Sequence, residues 1–220
     1  MVGLTNLAVV ATAVTGALAA PYASGDAPDF ELGGKNLARR QDYNQNYVTS
    51  GNVQFSPAND GYSVNFSNAG DFVVGKGWTT GQTRNITFSG STSGSAGTVL
   101  VSIYGWTTNP LVEYYVQEWT SNGAGSAQGE KLGSFESDGG TYEIWRHQQV
   151  NQPSITGTAT FWQYISNRVS GRPEGGTVTL ANHFAAWQAA GLQLGQHNYQ
   201  VLATEGWGNA AGSSKYTISG

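Results

Sequence analysis

The chain has 220 residues, a formal net charge of −4 and no cysteine. The absence of cysteine excludes a disulfide framework and a thiolate metal site, and the negative charge argues against binding to a nucleic-acid phosphate backbone. Only 11% of the residues are charged, whereas 12% are aromatic and 31 are glycine. This composition is typical of a β protein that presents aromatic rings to a partner.

The first 40 residues differ in character from the rest of the chain. Residues 1–19 form an apolar run rich in Ala and Val that closes on an A-x-A triplet, the pattern of a secretory signal peptide cut near Ala19. A membrane anchor is the alternative, although the run is short and is interrupted by Thr and Gly. The polar stretch that follows ends in Arg39 and Arg40, a dibasic pair that resembles a propeptide processing site. We therefore predict a secreted protein with a signal peptide at 1–19, a propeptide at 20–40 and a single mature domain at 41–220.

Strand and turn signals alternate through the mature domain. Segments rich in Val, Ile, Tyr and Phe recur between turns, among them GYSVNFSN, RNITFSG, GTVLVSIYGW, SITGTATFWQYIS, HNYQVLATEGW and SKYTIS. This pattern predicts an all-β jelly roll of two curved antiparallel sheets. Helical spacing is confined to residues 181–195, where Phe184, Trp187 and Gly191 recur at three to four residues and Gly195 marks the expected end. We expect this single helix to pack on the outside of the sheets.

Two of the predicted strands each carry a glutamate on the same face as a tyrosine. In PLVEYYVQEW, alternation places Glu113 with Tyr115, and in HNYQVLATEGW it places Glu205 with Tyr199. Carboxylates are rare in the aromatic middle of a strand. Two of them facing each other across a sugar ring are the machinery of glycoside hydrolysis. From the residues alone, a pair of surface glutamates at strand edges remains the alternative.

Six motifs give the chain a specific resemblance. PLVEYY, YGWTTNP, FVVGKGW, VNQPSITGTATFWQY, ANHFAAW and YQVLATEGW occur in an order and spacing similar to those of glycoside hydrolase family 11 endo-β-1,4-xylanases, and the likeness runs from residue 43 to residue 218. The short start of the domain resembles the compact acidic fungal members. The resemblance implies a jelly roll shaped like a partly closed hand, with a cleft and one helix on its back. It also implies hydrolysis of internal xylan bonds with retention of configuration and without a cofactor or metal.

Three carboxyl groups receive roles from the resemblance. Glu113 in VEYY matches the family nucleophile, and Glu205 in TEGW matches its acid/base. We expect Glu113 to stay ionised and Glu205 to have a raised pKa. Asp71 in SNAGDFVVGKGW matches the position beside the acid/base, where Asp is found in members that work at acidic pH. We expect Asp71 to form a coupled pair with Glu205 and so to lower the pH optimum.

The resemblance also implies a set of substrate-binding residues. Tyr47 matches an aromatic platform under a distal xylose, and residues 150–155 match a thumb hairpin that folds over the substrate. The full set is Tyr47, Tyr104, Tyr115, Pro153, Ser154, Ile155, Gln163 and Tyr199. Two positions depart from the common family pattern: Gln149 replaces an arginine before the thumb, and Ile165 replaces a cleft-side tryptophan. The first departure removes a positive donor near the cleft.

Several other residues leave open questions. Glu118 falls on the opposite face of its strand from Glu113, and we expect it to be solvated. His183 is expected to be a buried donor on the helix, and the three histidines lack metal-ligand spacing. Asn65 and Asn85 begin glycosylation sequons whose occupancy the sequence does not decide. The sequence also does not assign Trp78 and Trp106 to the core or to the cleft.

The leading interpretation is a secreted endo-1,4-β-xylanase acting as a monomer on xylan and xylo-oligosaccharides. Neither nucleic acid nor membrane is expected as a partner. An endo-β-1,4-glucanase on a related jelly roll is one alternative, and its cleft would need room for the C6 hydroxymethyl group of glucose. A non-catalytic xylan-binding protein is another alternative, but it would require at least one of the two glutamates to be missing, and both are present.

Overall fold

The computed structural model describes residues 41–220, so the predicted signal peptide and propeptide lie outside the described residues. The described part contains eleven β-strands and one α-helix. In chain order these are β1 Tyr43–Val48, β2 Asn52–Pro57, β3 Gly61–Ala69, β4 Phe72–Trp78, β5 Asn85–Thr108, β6 Val112–Thr120, β7 Glu130–Ser137, β8 Gly140–Ser154, β9 Gly157–Arg168, β10 Gly175–Thr179, α1 Leu180–Ala189 and β11 Gln196–Ser219. The all-β prediction with one helix is confirmed for these residues.

The described strands form one continuous, curved, hydrogen-bonded sheet, where two curved sheets were predicted. Its main path runs β1-β4-β11-β5-β6-β9-β8-β7, with β3 also on β11, β2 on β3, and β10 on β5. The sheet is continuous because its two central strands, β5 and β11, are each 24 residues long and pair with each other along most of their length. One half of β11 pairs with β4 and the other half with β3. Every strand pair is antiparallel, as predicted, except β6–β9, which is parallel.

The period-two alternation of the strands separates two apolar clusters. The main core takes one face of the sheet; Leu202 of β11 and Tyr114 of β6 lie in it. The other cluster contains their strand neighbours Val201 and Tyr115 and lines the concave face. Burial of each aliphatic side chain of this size contributes about 1.5–3 kcal/mol. Trp78 belongs to the main core and Trp106 to the concave face, which settles the question that the sequence left open.

Helix α1 is shorter than predicted. It buries Leu180, His183 and Trp187, and Trp187 packs against Tyr114 at a ring-centroid distance of 6.0 Å. The helix ends at Ala189 and not near Gly195, because Gly191 adopts a φ of 78° and the N–H of Leu192 turns back to the carbonyl of Trp187. No helix in the described part of the chain is long and apolar enough to cross a membrane.

His183 is buried as predicted, but it is not a donor. Neither of its ring nitrogens has a hydrogen-bond partner among the described residues. The ring instead packs edge-on against Tyr142 at 4.6 Å and Phe135 at 5.1 Å. Burial lowers the pKa of His183 to about 3, so the imidazole stays neutral and packs as an aromatic ring.

The expectation that Glu118 is solvated is wrong. Its side chain is 0% exposed, and it forms an ion pair with Arg172 and accepts a hydrogen bond of 2.7 Å from the hydroxyl of Tyr142. The opposite face of β6 is the face that packs into the main core, so a carboxylate there needs partners in place of water. Arg172 and Tyr142 supply them from outside β6.

We expect Arg172→Ala to lower the free energy of unfolding by about 3–5 kcal/mol, because it leaves the carboxylate of Glu118 buried without its cation. Denaturant unfolding measures the change. Lys131→Ala is the control, since the Lys131–Glu143 pair is partly exposed to solvent and contributes about 0–1 kcal/mol. Adding Glu118→Gln to Arg172→Ala should recover part of the loss. Equal small losses in both single variants would show that the buried pair is not important for stability.

Candidate active site

Glu113 lies in the middle of the concave face, held between two neighbouring strands. It stands opposite Trp106 on β5 and opposite Gln163 on β9. Its Oε1 accepts hydrogen bonds from the hydroxyls of Tyr104 (2.7 Å) and Tyr115 (3.1 Å), and its Oε2 accepts one from the amide of Gln163 (2.7 Å). Burial raises the pKa of Glu113, and these three donors act against that rise by stabilising the carboxylate. The carboxyl group is therefore fixed in position and supported in its ionised form.

Glu205 has the same small exposure as Glu113, 7%, but a different environment. It lies on β11 between Val73 of β4 and Leu100 of β5. Its Oε2 is buried and accepts no hydrogen bond from the described residues. Burial, followed by the charges of Glu113 and Asp71, raises the pKa of Glu205 well above its usual range. Both carboxyl groups thus have a raised pKa, but three donors oppose the rise at Glu113 and only Tyr115 opposes it at Glu205, so Glu205 keeps its proton to higher pH.

Asp71 directly precedes β4 and lies in the same cleft as both glutamates. Its backbone is held by Thr49, which donates to the Asp71 carbonyl from its N–H (2.9 Å) and its hydroxyl (2.8 Å) and accepts from the Asp71 N–H (2.9 Å). Asp71 is exposed as a whole residue, but its carboxyl group is partly buried, and this burial raises the pKa of Asp71. The negative charge of Asp71 in turn raises the pKa of both Glu205 and Glu113.

All of the predicted site residues line one cleft of about 330 Å³, a size within the range of ligand pockets. They are Tyr47, Asp71, Tyr104, Glu113, Tyr115, Pro153, Ser154, Ile155, Gln163, Tyr199 and Glu205. At one end, Tyr47 on β1 is 36% exposed and presents its ring to solvent. Tyr199 is stacked on Tyr43, with ring centroids 4.6 Å apart and an interplanar angle of 19°.

A second hollow continues the cleft beyond Glu205. It is lined by Asp71, Tyr115, Ser126, Gln128, Gln149, Gln163, Glu205 and Trp207. Because Glu205, Asp71 and Tyr115 border both hollows, the carboxyl groups of Glu205 and Asp71 lie where the two hollows meet. A chain-like ligand lying along the cleft would therefore pass the carboxyl groups and continue on either side of them.

The predicted thumb is the hairpin formed by β8 and β9. Its tip is closed by Ser154, whose hydroxyl donates to the carbonyl of Gly157 (2.5 Å) and accepts from the N–H of Thr156 (3.1 Å). Gly157 has a φ of 93°, which favours glycine at the turn. Pro153, Ser154 and Ile155 border the cleft at this tip. The hairpin thus places backbone and side-chain groups over the cleft.

The family model for glycosyl hydrolases family 11 matches residues 39–217. The chain belongs to glycosyl hydrolase family 11. A curated relative, endo-1,4-beta-xylanase 1 of Hypocrea jecorina, is 55% identical over 194 residues, which is 87% of this chain and 83% of the relative. Endo-1,4-beta-xylanase B of Talaromyces funiculosus is 51% identical over 211 residues, with coverage of 93% and 73%. A solved structure from a comparison of two major endo-1,4-β-xylanases of Trichoderma reesei has 55% identity and a TM-score of 0.79, covering 83% of this chain and 100% of that one.

The family 11 cleft also contains residues that were not predicted from the sequence to bind substrate. These are Tyr43, Gln45, Val73, Trp106, Gln149, Gln152 and Phe161. Alternation from Tyr47 along β1, and from Tyr104 along β5, was the available signal for Tyr43, Gln45 and Trp106. Of the two departures from the family pattern, Gln149 borders both hollows as a neutral side chain, whereas Ile165 is fully buried beneath the cleft.

Proposed function

We propose that this protein is a secreted endo-1,4-β-xylanase that cleaves internal bonds of xylan by a retaining double displacement, with Glu113 as the nucleophile and Glu205 as the acid/base. The observation that carries the assignment of roles is the contrast between the two carboxyl groups. Glu113 accepts hydrogen bonds at both oxygens, whereas Oε2 of Glu205 is buried without a donor. Family membership and the named xylanase relatives support xylan as the substrate.

In the first step, the carboxylate of Glu113 attacks the anomeric carbon and forms a glycosyl ester. The bond from that carbon to the leaving oxygen breaks, and Glu205 gives its proton to this oxygen. Because the pKa of Glu205 is raised further above its usual range than that of Glu113, the proton resides on Glu205 while Glu113 is ionised. The donors Tyr104, Tyr115 and Gln163 keep the nucleophile in one orientation.

In the second step, Glu205 acts as a base. Once the ester has neutralised Glu113, the charge that raised the pKa of Glu205 is lost, and its carboxylate form becomes favourable. Glu205 then takes a proton from a water molecule, which attacks the anomeric carbon from the face that the leaving group vacated. The bond to Glu113 breaks, and the configuration at the anomeric carbon is retained.

The remaining assignments concern the environment in which the enzyme works. The apolar run and the dibasic pair before residue 41 support export and processing, with 41–220 as the mature catalytic domain. The aromatic cleft supports an uncharged polysaccharide, or its oligosaccharides, as the partner. We propose that the enzyme acts as a monomer. We do not expect the protein to bind nucleic acid or membranes, and the proposed chemistry needs only side chains of this chain.

The proposed function is tested by following product release from xylan with NMR detection of the first anomer formed. We expect internal cleavage, β-configured products at early times, and much slower release of reducing ends from carboxymethyl cellulose. An initial α-anomer would contradict the retaining mechanism. Faster hydrolysis of the cellulose derivative would indicate a glucanase, and binding of xylan without hydrolysis would indicate a non-catalytic protein.

We expect Asp71→Asn to raise the pH optimum by about one unit. In the mechanism we propose, the active form carries a proton on both Asp71 and Glu205. Asp71 loses its proton first because its pKa is raised only by burial, whereas the pKa of Glu205 is also raised by the charges of Glu113 and Asp71. Asp71 thus sets the basic limb of the pH–rate profile. With Asn at this position, the later ionisation of Glu205 sets that limb.

The direction of the shift distinguishes this mechanism from a simple charge effect. If Asp71 acted only by raising the pKa of Glu205, its removal would move the basic limb to lower pH. Asp42→Asn is the matched control, because Asp42 is exposed, binds Thr79 and lies outside the cleft. Full pH–rate profiles on xylan are the measurement, and an unmoved optimum would remove Asp71 from the proposed site.

A further inference from the structure

A tryptophan of the cleft is joined to Glu113 through a tyrosine. The indole N–H of Trp106 donates to the hydroxyl oxygen of Tyr104 at 2.7 Å, and that hydroxyl donates to Oε1 of Glu113 at 2.7 Å. Trp106 and Tyr104 are 3% and 4% exposed, so water does not compete strongly for these groups. The three residues form a continuous chain of hydrogen bonds across β5 and β6.

The direction of this chain is fixed by the chemistry of its ends. An indole N–H can only donate, and an ionised carboxylate can only accept. The hydroxyl oxygen of Tyr104 must therefore accept from Trp106, and its single proton is directed to Glu113. A hydroxyl that accepts one hydrogen bond becomes a better donor in the next, because each bond polarises its neighbour.

Packing holds the indole in this role. The ring of Trp106 lies edge-on to Phe161, with ring centroids 4.8 Å apart and an interplanar angle of 61°. It stands directly across from Glu113 in the β5–β6 register, so the backbone also fixes its place. Its only polar hydrogen is directed to Tyr104, so in this arrangement Trp106 has no N–H left to donate to a sugar hydroxyl.

We propose that Trp106 is a positioning residue that acts through Tyr104 to orient and stabilise the ionised carboxyl group of Glu113, an inference that rests on the proposed role of Glu113 as nucleophile. Other groups also act on this carboxyl group. Tyr115 from β6 and Gln163 from β9 donate to it, and Glu205 and Asp71 face it across the cleft. The hydroxyl of Tyr199 from β11 lies beside Tyr104 and Trp106.

Trp106→Phe tests the proposal, because it keeps an aromatic ring and removes only the N–H and part of the ring area. We expect the acidic limb of the kcat/KM profile to move up by about 0.5 pH unit and kcat to fall roughly threefold to tenfold, less than for loss of a direct donor. The sign follows from the carboxylate: weaker support from Tyr104 lets Glu113 take up a proton at higher pH. Trp78→Phe is the matched control, since Trp78 lies in the main core. It should reduce stability and leave the acidic limb in place.

A second background shows whether Trp106 acts through Tyr104. In a Tyr104→Phe enzyme, adding Trp106→Phe should no longer move the acidic limb. The same shift in both backgrounds, or no shift in the wild-type background, would overturn the proposal and assign Trp106 to packing alone.

Carbon NMR titration of the Glu113 carboxyl group, in the wild type and in Trp106→Phe, reads its ionisation without any assay of activity. If Glu113 titrates at higher pH in Trp106→Phe than in the wild type, Trp106 acts on this carboxyl group through the hydrogen-bond chain. That result would stand even if Glu113→Gln retained activity and the proposed function failed. An unchanged titration overturns the inference while leaving the proposed function intact.

Discussion

Glu113→Gln is expected to lower kcat on xylan by roughly 10⁴-fold or more, because it removes the only side chain in the proposed mechanism that bonds to the anomeric carbon. Glutamine has the size of glutamate, and its amide oxygen can still accept from Tyr104 and Tyr115. Its NH₂ group would meet the amide of Gln163, which can turn to present its oxygen. Fold and xylan affinity should therefore change little while turnover is lost.

The measurement combines initial rates on xylan with thermal unfolding and binding of xylo-oligosaccharides to the variant. Glu143→Gln is a matched control, because Glu143 is a partly exposed glutamate that pairs with Lys131 on β7 and lies outside the cleft. It should retain wild-type rates. A Glu113→Gln enzyme that keeps a tenth of the wild-type activity would show that another group is the nucleophile.

The position of the two glutamates on the concave face was predictable from the sequence because β6 and β11 keep strict alternation around them. Val112, Tyr114 and Val116 lie in the main core, so Glu113 must face the other way. The same rule put Glu118 on the opposite face correctly. It could not show that this face is covered, since the partner Arg172 comes from a segment 54 residues away.

The continuity of the sheet was harder to predict. RNITFSG and GTVLVSIYGW look like separate strands because Gly94 lies between them and Gly97 opens the second, yet both belong to the single strand β5. Gly97 has a φ of 65°, and the register with β11 shifts nearby, between Trp207 and Ala211. A glycine that allows a bend within a strand and a glycine that ends a strand give the same sequence signal. Only long-range pairing distinguishes them.

The chemistry of the site also exceeded what spacing could show. Motif resemblance named Glu113 and Glu205, but the difference between them comes largely from neighbours on two other strands. Tyr104 and Gln163 reach Glu113 from β5 and β9, whereas no described donor reaches Oε2 of Glu205 on β11. Trp106 was unassigned for the same reason: its function depends on where its N–H points, and a sequence does not give the direction of a side chain.

Glu205→Ala is expected to lower kcat on xylan by about 10²- to 10⁴-fold, while aryl xylosides with good leaving groups form the glycosyl ester at nearly wild-type rates. A sugar leaves only if its glycosidic oxygen is protonated, whereas a nitrophenolate leaves without help.

The second step then becomes limiting because no base activates water, and the space left by the side chain admits a small anion. Azide should therefore restore turnover and yield a β-xylosyl azide, the retained product, since it needs no deprotonation and attacks the ester from the side that Glu205 occupied. Glu205→Gln serves as the control: it also lacks the acid and the base but fills the space, so azide should rescue it poorly. Equal loss on both classes of substrate, with no azide product, would assign Glu205 to structure and not to proton transfer.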